Sequence, residues 1–330
     1  MAPEPIDRSE TVGEPTEKLR LGISTCLLGE NVRYDGGHKH DRYLTDTLGQ
    51  YVEWVPVCPE VECGLPVPRE AMHLVGDPVA PRLVTVRTGE DKTDQMLRWA
   101  ESRVAELEGE GLCGFVFKAK SPSSGMERVK VYNAKGMAEK KGVGLFARAF
   151  MEHFPLLPAE EDGRLHDMGI RSNFVERVFT LKRWRDTVAK GRRAGNLVDF
   201  HSRHKLLILA HSTERYRQMG RLVAHPKEHT PTELFGLYER ELMDALRLKA
   251  TRRKHVNVLQ HILGYFNKQL SADEKQEALA LIERYREGCV PLIVPITLLN
   301  HYVRKYDEPY LAQQVYLNPH PVELQLRNHV

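Results

Sequence analysis

Nowhere in its 330 residues does the chain hold 18 or more apolar residues in a row, so no segment is expected to cross a bilayer. Cysteine is scarce: only Cys26, Cys58, Cys63, Cys113 and Cys289 occur, and with no export signal to be read they do not suggest disulfides. The first eighteen residues, MAPEPIDRSETVGEPTEK, lack any apolar stretch. They read as a disordered tail rather than a signal peptide. A cytoplasmic location with reduced thiols follows as an expectation, the thiols serving as core residues, metal ligands or nucleophiles. Internal repeats and low-complexity tracts are also missing, which excludes solenoid and fibrous architectures. The sequence does not reveal the oligomeric state, and a monomer is one reading of it.

What is present is charge divided unequally. Residues 1–169 carry 21 Lys+Arg against 28 Asp+Glu, whereas residues 170–330 carry 27 against 17. An acidic half joined to a basic half points to a polyanion held mainly by the second. A basic surface that merely solvates helices is the competing explanation.

The acidic half alternates strands with helices. Strands are predicted at 19–25, 52–57, 82–87 and 114–119, with a short last one at 155–158; helices are predicted at 41–51, 91–108 and 143–154. That order predicts an α/β domain, Rossmann-like, with a mostly parallel sheet wound with helices. Ligands of open parallel sheets collect beyond the carboxyl ends of the strands. Three strands end in polar or reactive loops: Thr25-Cys26-Leu27-Leu28-Gly29, Cys58-Pro59-Glu60-Val61-Glu62-Cys63-Gly64 and Lys120-Ser121-Pro122-Ser123-Ser124-Gly125. These loops are expected to meet in one crevice. The domain is placed at 19–158 and a linker at 159–169. Beyond it, residues 170–330 read as an all-α domain, with helices at 172–189, 197–211, 214–224, 232–249, 251–270, 272–287 and 291–306. Capping signals support this reading: Thr230-Pro231 opens one helix and Ser271 with Glu274 opens another.

Cys58 and Cys63 stand five apart around a Pro/Glu turn, and strand ends bring Cys26 to the same crevice. Soft thiolates favour iron and zinc, so an iron–sulfur site and plain core cysteines are both open readings. Cys113 precedes its strand and is expected at the opposite end of the sheet; Cys289 falls between helices and reads as structural. Glu60 could act as general base on water. Ser121 could act in catalysis by steadying the developing charge or the base, and with Ser123 and Ser124 it could present hydroxyls and backbone N–H groups to a substrate. Asp35, in Arg33-Tyr34-Asp35-Gly36, either forms an Asp–Gly turn or orients a substrate. In the basic half, Arg252, Arg253 and Lys254 open a helix that also carries His261, Tyr265 and nearby Phe266. Arg203 and Lys205 lie in a second basic run, and Lys182-Arg183-Trp184-Arg185 forms a third. Such groups neutralise phosphates and stack on unpaired bases, although aromatics at helical spacing also build cores. His201 and His204, three apart, are a weak zinc pair.

Five ordered stretches resemble the thiouracil desulfidase family: Ser24–Gly29, Arg33–Gly36, Val57–Glu60, Gly64–Arg69 and Ser121–Gly125. The stretches Phe200–Lys205, Ala250–Arg253, His255–His261 and Val290–Pro295 are similar to the helical YbgA-type domain. The combination resembles tRNA 4-thiouridine desulfidases, in which the helical domain is thought to recognise tRNA. The resemblance implies a [4Fe-4S] cluster held by three cysteines, with substrate sulfur on the fourth iron. It also implies tRNA as partner and hydrolytic loss of sulfur from 4-thiouridine. An iron–sulfur RNA-binding sensor without turnover is the alternative. The chain departs from that pattern at Val32 and Ser124, where many relatives have cysteine. Cys26 and Cys58 match, Cys63 is the natural replacement for the third ligand, and Cys113 is its rival.

Overall fold

A computed structural model describes residues 19–329, and the N-terminal tail expected from the sequence lies outside the described residues. Four parallel strands form the first sheet, in the order β2-β1-β5-β8: β1 Leu19–Ser24, β2 Val52–Val57, β5 Phe115–Phe117 and β8 Ala159–Glu161. β1 and β5 are central, and Leu19, Leu21, Ile23 and Phe115–Phe117 are buried in them because both of their faces are covered. β2 tolerates Pro56 because it is an edge strand, where a missing N–H breaks no ladder. Gly22 of β1 is required by close packing: a Cβ there would lie 2.1 Å from the Phe115 ring.

Helices α2 (Thr93–Glu108) and α3 (Leu145–His153) cover one face through Ala100, Val104, Leu107, Phe146 and Phe150, which share a core with Phe115 and Phe117. The other face is covered by α4 (Met168–Ala189), whose Phe174, Val175 and Val178 pack with Leu21, Ile23 and Val116. The close approach depends on Gly114, where a Cβ would meet Val178 at 2.9 Å.

A second sheet, in the order β4-β3-β6-β7, stands beside the first: β3 Met72–Val75, β4 Arg82–Thr85, β6 Val129–Tyr132 and β7 Ala138–Gly142. β3 pairs antiparallel with β4 and parallel with β6, and β6 turns through Asn133–Gly136 into β7. Its inner face, Leu74, Leu83, Val129 and Val131, packs on Met96 and Leu145.

The helical half continues with α5 (Ala194–His211), α6 (Thr213–Ala224), α7 (Pro231–Arg247), α8 (Arg252–Tyr265), α9 (Ala272–Glu287) and α10 (Ile293–Lys305). Both capping signals are realised: Thr230 and Glu233 form a capping box on α7, and Ser271 and Glu274 form one on α9.

Four expectations are corrected. The helix at 41–51 is a wide turn, Tyr43–Thr47, running into a tight one, Leu48–Gln50, not a regular α-helix. The last strand is Ala159–Glu161 and belongs to the first sheet, so the predicted linker is part of the α/β domain. The strands expected from the sequence did not include β3, β6 or β7. The boundary at 169/170 also separates the first sheet from α4, the helix that covers one of its faces.

A buried ion cluster ties the halves of the helical region together. Glu176 of α4 accepts from His211 Nε2 at 2.5 Å and faces Arg327 of the C-terminal segment at 3.4 Å, all three side chains being at most 8% exposed. Burial pushes the Glu176 carboxyl up, but the facing His211 and Arg327 outweigh it and hold it at about 2. A carboxyl depressed in the folded state adds stability that is complete above its ordinary value near 4.5 and lost as pH falls toward 2. Urea denaturation should therefore show stability declining over that window. Glu176→Gln should flatten the decline and cost about 3 kcal/mol at neutral pH, because Arg327 is left buried without its counter-ion.

Candidate active site

The loops after β1, β2 and β5 meet at the carboxyl ends of the first sheet, around a cavity of about 450 Å³. The connection after β1 runs on the α4 face, where Leu44 and Leu48 pack, whereas α2 and α3, which follow β2 and β5, lie on the other face, and a crevice opens where the connections part. Cys26 and Cys58 line the cavity, with Glu60, Arg69, Lys118, Ser121 and Ser124.

Each of these groups is placed by backbone constraints. Cys26 sits in a tight turn, Thr25–Leu28, which ends at Gly29 in the left-handed region (φ 93°). Its carbonyl accepts from the Lys39 N–H at 2.8 Å, fixing the next loop over it. Cys58 is the N-cap residue of the short helix α1, Pro59–Glu62, and its N–H donates to Glu62 at 2.7 Å. Burial pushes the Cys26 thiol up to about 11 and the Cys58 thiol up to about 12, the Glu60 carboxylate adding to both. A metal entering the cavity would displace those protons.

Glu60 projects from α1 between the two thiols and the serine loop. Its carboxylate accepts from Ser123 Oγ, lies 3.6 Å from the Arg69 guanidinium and receives the Cys58 thiol at 3.7 Å. Arg69 is itself clamped by the carbonyls of Val32, at 3.0 Å, and Pro66, at 3.3 Å. The serine loop is a compact turn. Ser121 Oγ receives the N–H groups of Ser123 and Ser124 at 3.3 and 3.1 Å, and Gly125 N–H returns to the Ser121 carbonyl at 2.8 Å. Gly144, just before α3, has to be glycine here, because a Cβ would lie 2.4 Å from the Ser123 carbonyl oxygen. Lys118 also lines the cavity and pairs with Asp162 at 2.8 Å.

The structure thus brings together Cys26, Cys58, Glu60, Ser121 and Ser124 of the expected set. Cys63 is not in the cavity lining. It ends α1, points its thiol at the Glu60 carbonyl (3.3 Å) and packs against the second core. Five residues on a 3.6-residue turn put it on another side of α1 from Cys58. Ser123 is fully buried and braces Glu60 instead of lining the cavity. Asp35 forms the turn: its exposed carboxylate accepts from Arg33 and from Gly37 N–H, and these bonds hold it below the usual carboxylate range. Cys113 is buried at the amino end of β5, 3.8 Å from the Arg185 guanidinium, and Cys289 is exposed beyond α9. Arg33, Arg69 and Lys118 were missed as site residues. The Arg-bearing loop 64–69 carried the one available signal, a cation close in sequence to two cysteines.

The basic half is sorted in the same way. Trp184 is core, Arg183 donates to the Pro319 carbonyl at 2.7 Å, and Arg185 donates to the Leu112 carbonyl. Lys254 donates to the carbonyls of His211 and Lys249, so it ties helix ends together instead of facing solvent. Arg252 packs over Gly288, and Arg203 pairs with Asp199 on its own helix. Arg253 is exposed. Lys205 lies 4.7 Å over the Tyr310 ring, which stacks on Tyr265. His201 and His204 are buried, hydrogen-bonded to Tyr238 and to the Phe200 carbonyl, and burial pushes them down to about 4 and about 3. They are neutral core residues, and among the described residues no three His, Cys, Asp or Glu groups converge on one metal ion.

Residues 21–162 match the model of the 2-thiouracil desulfurase family, and residues 205–321 match that of a family described as protein of unknown function (DUF1722). The chain is 35% identical over 153 residues to the uncharacterized protein YbgA of Escherichia coli (strain K12), a match covering 46% of this chain and 90% of that one. It is also similar to a solved [4Fe-4S]-dependent thiouracil desulfidase, with 30% identity over 46% of this chain and 95% of that one and a TM-score of 0.38.

Ser123→Ala should cost about 1–3 kcal/mol in urea denaturation, since the Glu60 carboxylate loses a donor inside the domain. A change below about 0.5 kcal/mol would show that Arg69 alone holds the carboxylate.

Proposed function

We propose that this chain, which belongs to the family of YbgA and carries a 2-thiouracil desulfurase domain, is an iron–sulfur desulfidase that removes sulfur from 4-thiouridine in tRNA. The observation that carries the reading is the convergence of two buried thiols and one carboxylate on a single cavity within residues 21–162. The donor set fits a cluster: Cys26 and Cys58 are soft ligands facing the same space, and the Ser124 hydroxyl faces it from the third loop. A four-iron cluster offers separate corners, so its ligands need not converge on a point as those of one ion do. Cys26 and Cys58 would hold it, with Ser124 better placed than Cys63 for the third corner.

When bound, the cluster supplies a Lewis-acidic iron for the substrate sulfur. The protein's own groups do the rest. Glu60, held by Ser123 and Arg69, takes a proton from water as its oxygen attacks the carbon that bears sulfur. The carbon–oxygen bond forms, the carbon–sulfur bond breaks, and one water is exchanged for one hydrogen sulfide with no net electron transfer. Ser121 and the N–H groups of its turn keep the serine loop in one shape beside the reacting ring. Arg33, Arg69 and Lys118 offset the negative charge of thiolates and leaving sulfide. The net positive charge of residues 170–330 supports a polyanionic substrate, with Arg253 and Lys205 its best-placed contacts.

Glu60→Gln should keep its iron and visible absorption while sulfide release falls about 10²- to 10⁴-fold; near-native turnover would remove Glu60 from the chemistry. Anaerobic iron counting should show loss in Cys26→Ser and Cys58→Ser, and retention in Cys63→Ser, Cys113→Ser and Cys289→Ser. Loss in Cys63→Ser with retention in Ser124→Ala would show that the Cys63 loop turns inward when loaded. For the RNA contact, Arg253→Ala with Lys205→Ala should weaken tRNA binding and flatten its log–log salt slope by about 0.7–0.9 for every phosphate no longer neutralised, with the melting temperature unchanged. Native affinity and slope would dismiss that surface.

A further inference from the structure

The second sheet has a solvent face that the chemistry above does not use. On β3 and β6 the side chains alternate: Leu74, Val129 and Val131 point into the core, and His73, Lys130 and Tyr132 point out. The register puts Val75 beside Tyr132 and Lys140 of β7 beside Lys130, so these residues share the outer face. His73 and Tyr132 form a ring pair with centroids 4.9 Å apart and planes tilted by 32°, both partly exposed. Lys130 and Lys140 are exposed beside them.

The charge here runs against that of the surrounding domain. Residues 128–142 hold five basic side chains, Arg128, Lys130, Lys135, Lys140 and Lys141, against the single acidic Glu139, although residues 1–169 as a whole are acidic. Glu139 lies opposite Val131 and pairs with Lys141, so it does not share the face of Lys130 and Lys140. The end of this sheet adjoins the cavity: Ala71 and Met72 line it, Met72 from the inner face, and β3 starts at Met72. At about 3.3 Å per residue, His73 and Val75 follow within about 10 Å.

We propose that this sheet face is a stacking platform for the unpaired nucleotides that flank the reacting one in an RNA substrate. Bases stack on exposed rings whatever their sequence, and lysines beside the rings meet the phosphates between them. The α/β half therefore grips the RNA strand as well as the reacting ring, and this rests on the reading that the substrate is a thiolated nucleotide within RNA. The opposing acidic character of the rest of the domain confines the strand to this face.

The test uses the full chain and a single-stranded oligoribonucleotide with one 4-thiouridine between unpaired uridines, its binding followed by fluorescence anisotropy across salt concentrations. His73→Ala with Tyr132→Ala should weaken binding about five- to hundredfold per base unstacked, and Tyr132→Phe should restore it. Lys130→Ala with Lys140→Ala should lower the salt slope by about 0.7 for each phosphate that the pair neutralises. Sulfide release from free 4-thiouridine should not change in any of these variants. Should the ring variant lose its melting transition, the exposed lysine pair decides. Wild-type affinity and slope in the lysine variant, or no binding by the wild-type chain, would overturn the platform. Binding that depends on the platform without sulfide release from any thiolated nucleoside would instead overturn the desulfidase reading and leave the platform standing.

Discussion

A parallel sheet has to be buried on both faces, and most of this molecule follows from that requirement. β1 and β5 carry Leu21, Ile23, Phe115 and Val116 on alternating sides, so neither face can meet water. α2 and α3 cover one face. α4 covers the other, and it reaches the sheet only because Gly114 leaves room for Val178. α4 is at the same time the first long helix of the helical half, where Trp184 packs with Phe200 and Tyr238. One helix thus belongs to two cores, and the acidic and basic halves are joined by apolar packing as well as by the chain.

That double membership explains what was legible in the sequence and what was not. Runs of apolar residues ending at Cys26, Cys58 and Ser121 were readable as buried strands with polar loops, and the crevice followed from parallel topology alone. The domain boundary was not readable in this way: composition changes near residue 169, but burial does not respect composition. β6 and β7 were missed because Lys130, Lys140 and Lys141 give the segment the look of a solvated loop. The two valines that make it a strand, Val129 and Val131, are too few to register without the partner strand β3. Ser123 was read as facing a ligand, and Asp35 was left between a turn and a substrate contact, because a sequence does not say which way a turn residue points.

Charge in the helical half carries a similar lesson. A sequence count treats every Lys and Arg as available to a polyanion. Arg183, Arg185 and Lys254 instead donate to carbonyls of Pro319, Leu112 and His211, groups at segment ends that would otherwise stay unpaired. Arg327 and Glu176 neutralise each other inside the core. The basic excess is therefore partly internal bracing, and the surface available to phosphate is smaller than the net charge implies.

The cavity poses the reverse problem, because its two thiols are neutral where a metal cluster would need them ionised. Burial is the dominant cause for both, and Glu60 adds to it. Burial that disfavours a lone thiolate also strengthens its bond to a metal, since water does not compete there. Glu60 makes the same bargain: it raises the cost of each thiolate, yet it is the one carboxylate in the lining that could take a proton from water. Arg33, Lys39, Arg69, Lys118 and Lys120 ease the conflict, placing five cations around a space meant to hold thiolates, a carboxylate and departing sulfide. They oppose burial in part: Lys118 and Arg33 pull the Cys26 thiol down and Arg69 the Cys58 thiol, while burial remains the larger effect. The cations, which sequence spacing did not mark, thus moderate the charge of the residues that it did.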